Sequence, residues 1–262
     1  MKIKVPSNLK PPYLIHPDII RTLKHVKKYS KNNKNIGQLH LDFLSKVFGQ
    51  NNLIFPSFNY DFPESKVFNV QESKSDVGYL SNYLIEQRKF ERTKTPIFSF
   101  LTNISSLCDT KIDRPFNKFS VFDYLYKNDG TIVFYGTTVK TCPYIHYVES
   151  QYIDPIYRYY KNFSGEIINN NKSQKAEVNF HVRPANMNLE YDSEKREKSL
   201  IQSNIQFFFD NSFSAVKARD LSNIWTDLML NDKFYFLKDS CRFDIEKKYL
   251  ELGRPFLIDD FE

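Results

Sequence analysis

The segment Gly130-Thr131-Ile132-Val133-Phe134-Tyr135-Gly136 limits the fold more than any other stretch of the chain. Four consecutive large apolar residues leave no face for water, so a strand here must be covered on both sides. Leu53-Ile54-Phe55 and Ile97-Phe98-Ser99-Phe100-Leu101 are similar runs, and Tyr13-Leu14-Ile15-His16 is a shorter one. Between them lie segments with helical spacing: Ile36 to Phe48, stopped by Gly49; Val77 to Phe90; and Val121 to Tyr126, behind Ser120 as N-cap. Asp18 is placed to cap a helix carrying Ile19, Ile20, Leu23 and Val26. Strands separated by helices imply an α/β domain, with three α/β/α layers around a central mixed sheet.

After residue 165 the pattern changes. Ser164 to Ile168 and Ala176 to Val182 flank the polar turn Asn169-Asn170-Asn171-Lys172 and read as a hairpin. Ile205 to Ser212 and Ser214 to Arg219 read as two more strands, and Ser222 to Leu230 as a short helix. No repeat or linker interrupts the chain. We therefore expect a single domain over residues 1–262, with a core over 1–165 and a C-terminal β-rich elaboration over 166–262.

Phe and Tyr, at 24 and 17 residues, supply a large core, while only 7 Gly argue against a glycine-rich nucleotide loop. No apolar run reaches the length of a membrane span, and the N-terminus lacks a signal core. Cys108, Cys142 and Cys241 have no CxxC spacing, which suits a reduced, cytoplasmic setting without structural zinc. His25, His40 and His181 have no neighbour at metal-ligand spacing, so they read as structural and no metal is expected. The net charge of +6 favours anionic ligands over polycations. The basic run Lys27 to Asn35 is short and isolated, so it reads as a solvated loop rather than a nucleic-acid surface. Whether the chain is a monomer or a homodimer is left open.

Past the Ile132–Tyr135 strand lies Thr141-Cys142-Pro143-Tyr144-Ile145-His146-Tyr147-Val148-Glu149. A histidine with a carboxylate three residues on shares one helical face with it, and the carboxylate raises imidazole basicity. By spacing alone such a pair is more often an ordinary surface contact. Together with Tyr157-Arg158-Tyr159-Tyr160-Lys161, however, the segment resembles the His-x-x-Glu region of the aminoglycoside 3-N-acetyltransferase family. Further blocks match in order: Phe55-Pro56-Ser57-Phe58-Asn59-Tyr60, Asp76-Val77-Gly78-Tyr79-Leu80, Arg92-Thr93-Lys94-Thr95-Pro96-Ile97-Phe98-Ser99-Phe100 and Phe119-Ser120-Val121-Phe122-Asp123-Tyr124-Leu125. The resemblance runs from about Leu14 to Lys161, with no comparable motif beyond Gly165.

The resemblance implies an N-acyltransferase that uses acetyl-CoA or another acyl-CoA and passes the acyl group directly to an amine. His146 would be the general base and Glu149 its partner. Arg92 and Thr93 would lie near coenzyme A, as would His16, although Pro17 stands where the family has a serine. Pro143 replaces a family hydroxyl expected to help the thioester oxyanion, which leaves Thr141 or a backbone amide as the substitute. Cys142 is not expected to act as a nucleophile. Tyr60 and Asp61 would meet the acceptor, and Arg158 would bridge carboxylates beneath the histidine. The family includes antibiotic-resistance enzymes and acyltransferases of polysaccharide biosynthesis. The basic charge places a nucleotide-linked or glycan-precursor amino sugar ahead of an aminoglycoside, with Arg183 and Lys217 to meet a pyrophosphate. An aminoglycoside would call on Asp61 and Glu64 instead. The changes at Pro17 and Pro143 keep open an inactive coenzyme A-binding relative.

Overall fold

The computed structural model describes residues 3–27, 35–108 and 113–262, so most of the basic run, residues 28–34, lies outside the described residues. Ten strands are described: β1 Lys10–Pro17, β2 Leu53–Pro56, β3 Val67–Asn69, β4 Glu91–Arg92, β5 Phe100–Thr102, β6 Gly130–Tyr135, β7 Tyr159–Asn169, β8 Lys172–Val182, β9 Gln206–Asp210 and β10 Phe213–Lys217. Seven form one sheet in the order β4-β5-β2-β1-β6-β10-β9; β3, β7 and β8 form a second. In the large sheet β1 runs parallel to β2 and β6, and the outer pairs are antiparallel, so the sheet is mixed.

Strand β6 is buried along its whole length, and its alternating side chains divide between two cores. Ile132 and Phe134 enter one with Phe122, Tyr144 and Trp225. Val133 and Tyr135 enter the other with Leu39, Leu44, Phe55 and Leu84. The helices Val121–Lys127 and Ala218–Asn231 cover the first face, and Ile36–Phe48 and Tyr79–Gln87 the second. This is the three-layer arrangement that the apolar runs require. Among the described residues no helix is long and apolar enough to cross a membrane.

Three local expectations shift. The strand expected from Ile97 starts only at Phe100, because Ile97 sits at φ 69°, outside strand geometry. The helix expected after Asp18 shortens to Leu23–Val26; Asp18 instead accepts the backbone N–H groups of Ile20 and Arg21 in a turn. β9 and β10, from the part of the chain expected to be an elaboration, complete the large sheet, with Ala215 and Val216 in its two cores. The β7–β8 hairpin forms as expected, with longer strands, and lays β7 parallel to β3. A Cβ at Gly165 would stand 2.3 Å from the Lys66 carbonyl oxygen, so this close approach needs glycine.

Candidate active site

The parallel strands β1 and β6 end at the same edge of the sheet, where α/β folds place ligands. Gly136 follows β6 at φ 82°, and a Cβ there would lie 2.3 Å from the Asp18 carbonyl oxygen. That tight turn carries the chain through a 3₁₀ turn, Val139–Thr141, into the helix Tyr144–Val148. The helix then widens into a π-turn, Glu149–Ile153, closed by Asp154 N–H donating to the Glu149 carbonyl at 2.9 Å. His146 and Glu149 face the same side, as their spacing predicts.

Glu149 is fully buried, and both its oxygens are taken. Oε1 accepts from the Tyr157 hydroxyl at 2.7 Å and the Tyr191 hydroxyl at 2.5 Å. Oε2 accepts from His146 Nδ1 at 3.0 Å and from His181 Nε2 at 3.3 Å, with Arg158 Nε 3.8 Å away. An ionised carboxylate only accepts, so both imidazoles must donate to it, which fixes their tautomers. His181 Nδ1 then accepts from the Ser150 hydroxyl at 2.9 Å. His146 Nε2 has no partner among the described residues, and the His146 side chain keeps 22% exposure. A neutral His146 thus presents a lone pair.

The electrostatics agree. Burial alone would raise the Glu149 carboxyl, but hydrogen bonds from His146 and His181 and the charge of Arg158 hold it well below the usual carboxylate range. Burial pushes His146 down to about 4, against the opposing pull of Glu149. The imidazole is therefore neutral near pH 7, with its Nε2 lone pair uncommitted.

Two cavities are lined by residues of this segment and of the segment Pro56 to Tyr60. One, of ≈ 640 Å³, is lined by His146, Tyr60, Phe98, Phe116, His181 and Tyr191, with Arg158, Arg183 and Arg196. The other, of ≈ 680 Å³, is lined by His16, Pro56, Phe58, Leu80, Thr137 and Thr141. The segment Pro56 to Tyr60 contributes to both walls, as does Thr141 to His146. Most of the second cavity wall is apolar, yet the buried His16 Nε2 has no partner. An extended thiol arm with amide groups fits such a lining, since His16 can serve an amide where no protein group does.

His146 and Tyr60 thus share one cavity, and His16 and Thr141 share the other. Thr141 bonds Thr138 O at 3.1 Å and Thr137 Oγ1 at 3.0 Å. Arg92 and Thr93 line neither. Arg92 is 5% exposed, and its guanidinium stacks 4.8 Å from the Phe68 ring centre and is bonded to Ser57, Ser73 and Ser99. The Thr93 hydroxyl accepts from Phe100 N–H at 2.9 Å. These contacts tie loops together, and neither side chain shares the cavity that His16 and Thr141 line. Asp61 is exposed at the start of the helix Phe62–Ser65, outside the cavity lining, and Lys217 pairs with Asp129 and Asp220. Cys142 is buried, and burial pushes its thiol up to about 12, which removes it as a nucleophile.

Sequence reasoning missed His181, Tyr191 and Arg196. His181, expected to be structural, belongs to the site; its period-two position in β8 hid a partner 32 residues away. His146, Glu149 and His181 also place one ligand atom each within 4.8 Å of one another. Both imidazole donors already satisfy Glu149, and the Arg158 charge beside Oε2 works against adding a cation.

The fold is similar to several solved structures. One is AAC-IIIb in a binary complex with CoASH, with a TM-score of 0.67, 13% identity, and 85% of this chain and 91% of that chain covered. YokD from Bacillus subtilis gives 0.63 and 13%, covering 86% and 94%. Sisomicin-bound AAC-VIa gives 0.60 and 13%, covering 82% and 89%. At these identities the likeness concerns the fold. No curated protein matches in sequence. The family model for aminoglycoside 3-N-acetyltransferase matches residues 41–229, a span holding the His146–Glu149 turn, the hairpin that delivers His181 and the helix that seals the first core. Since that match takes in most of the fold, the chain belongs to the aminoglycoside 3-N-acetyltransferase family, whose members are N-acetyltransferases using acetyl-CoA.

Proposed function

We propose that the protein is a cytoplasmic acyl-CoA-dependent N-acyltransferase that acts on an amine of an amino sugar by direct transfer, with His146 as general base. The observation that carries this is the open Nε2 of His146, its other nitrogen held by the buried Glu149, on the wall of a cavity large enough for an acceptor. The His16–Thr141 cavity would hold the thiol arm, and the His146 cavity the acceptor. Bound acyl-CoA supplies an activated acyl carbon. His146 Nε2 takes the proton of the amine as its nitrogen bonds to that carbon, and Glu149 stabilises the imidazolium. The carbon–sulfur bond then breaks, and the imidazolium returns the proton to the departing sulfur. The products are an amide and free coenzyme A, with no acyl-enzyme. Thr141 lies at the cofactor wall and can turn its hydroxyl to the thioester oxygen only by releasing Thr138 or Thr137.

A nucleotide-linked or glycan-precursor amino sugar is our first reading of the acceptor. The second is an aminoglycoside, favoured by the family match and by the sisomicin bound in one similar structure. The test is thiol release from acetyl-CoA with a panel of amino sugars and aminoglycosides. His146→Ala should keep the fold and coenzyme A binding while lowering turnover by about 10²–10⁴. Coenzyme A binding without thiol release on any amine would identify an inactive relative.

A further inference from the structure

We infer that the His146 cavity contains an oxyanion subsite, built from Arg196 and Arg183, so that the acceptor carries a phosphate or carboxylate besides its amine. This rests on reading that cavity as the acceptor site. Three guanidinium groups line it, from Arg158, Arg183 and Arg196, against one carboxylate, Glu190. Glu190 is exposed and already bound by Lys238. Arg158 is committed to Glu149 and Tyr191. Arg183 and Arg196 make no ion pair among the described residues.

Arg196 is the stronger half of the site. It is 6% exposed, on the helix Ser193–Gln202, with its Cζ 5.5 Å from the Tyr191 ring centre. Nη2 donates to the Lys140 carbonyl at 3.1 Å, but Nε is buried with no partner. Asp192, one turn back, is occupied in capping that helix through Glu194 N–H and Lys195 N–H, both at 2.9 Å. A buried guanidinium that lacks a carboxylate and leaves an N–H unsatisfied is costly unless a ligand completes it. Carboxylate and phosphate are the groups whose geometry matches it. Arg183 lies two residues past His181 and is exposed, able to reach the same ligand from the solvent side. A polycationic acceptor would instead meet uncompensated positive charge.

Titration calorimetry with pyrophosphate as the probe tests this. The wild-type protein should bind one equivalent, with an affinity that falls as salt rises. Arg196→Gln and Arg183→Ala should each weaken binding by roughly tenfold or more. Arg183 is exposed, so its variant stays informative if Arg196→Gln fails to fold. Binding should persist with saturating coenzyme A; displacement by coenzyme A would assign the subsite to the co-substrate's own phosphates and overturn the inference. Absent wild-type binding, or equal binding by the folded variants, would do the same. In thiol-release assays glucosamine 6-phosphate should surpass glucosamine in kcat/KM, and Arg183→Ala should bring the two together. A preference for kanamycin-like polyamines that both variants leave intact would overturn it. Absence of thiol release with every amine would defeat the acyltransferase reading, and pyrophosphate binding would still decide the subsite.

Discussion

His146 and His181 donate to the same oxygen of Glu149, one from Nδ1 at 3.0 Å and the other from Nε2 at 3.3 Å. The two rings have different freedoms. His181 is held at both nitrogens, whereas His146 has one left over. One carboxylate thus orients the His146 imidazole and is itself pinned by a second imidazole, two tyrosines and an arginine. An imidazole held in this way is pre-oriented for the proposed role of base.

The first prediction concerns pH. As the proposed base His146 acts only when neutral, and burial lowers its pKa to about 4. Activity should therefore persist as pH falls through the ordinary imidazole value of about 6.5 and be lost only well below it. Glu149→Gln removes the charge that opposes this lowering, so its acid limb should move lower still while its plateau falls. The measurement is kcat/KM against pH, corrected for ionisation of the acceptor amine. A wild-type midpoint at or above 6.5 would contradict the assignment.

The second concerns stability. Glu149→Ala leaves the Arg158 charge and two tyrosine hydroxyls without their buried acceptor, which should cost about 3–5 kcal/mol. Tyr157→Phe loses one hydrogen bond to a charged group, about 2 kcal/mol. The native Glu149 carboxyl is held below its unfolded value, so its contribution is complete above about pH 4.3 and declines as pH falls through the native value. Urea unfolding should show the gap between wild type and Glu149→Gln narrowing below about pH 4.

The third separates structure from ligand contact at Arg92. Its guanidinium joins Ser57, Ser73 and Ser99. Arg92→Ala should lower stability by about 3 kcal/mol through unsatisfied buried acceptors, with the KM for acetyl-CoA unchanged in the folded fraction. A raised KM at unaltered stability would restore a cofactor role.

The fourth concerns Cys142. Direct transfer needs no thiolate, so Cys142→Ala should keep most of the activity. Mass spectrometry of enzyme mixed with acetyl-CoA should find no acylated protein. A stable acyl adduct lost in Cys142→Ala would reveal a two-step reaction.

The sequence by itself determined the inner strands of the sheet and one half of the site. Ile132 to Tyr135 had to be an interior strand because consecutive apolar side chains alternate between two faces, and both faces proved covered. His146 and Glu149 were legible because a helical turn places i and i+3 together whatever surrounds them. The tertiary structure alone decided the rest. His181 reaches Glu149 because the β7–β8 hairpin folds back over the π-turn, and Tyr191 arrives from the loop before the helix Ser193–Gln202. A motif records the type and order of Arg92, but where its guanidinium points is set by three serines on separate loops. Local spacing fixes neighbours along one element, whereas contacts between distant elements depend on how the whole chain packs.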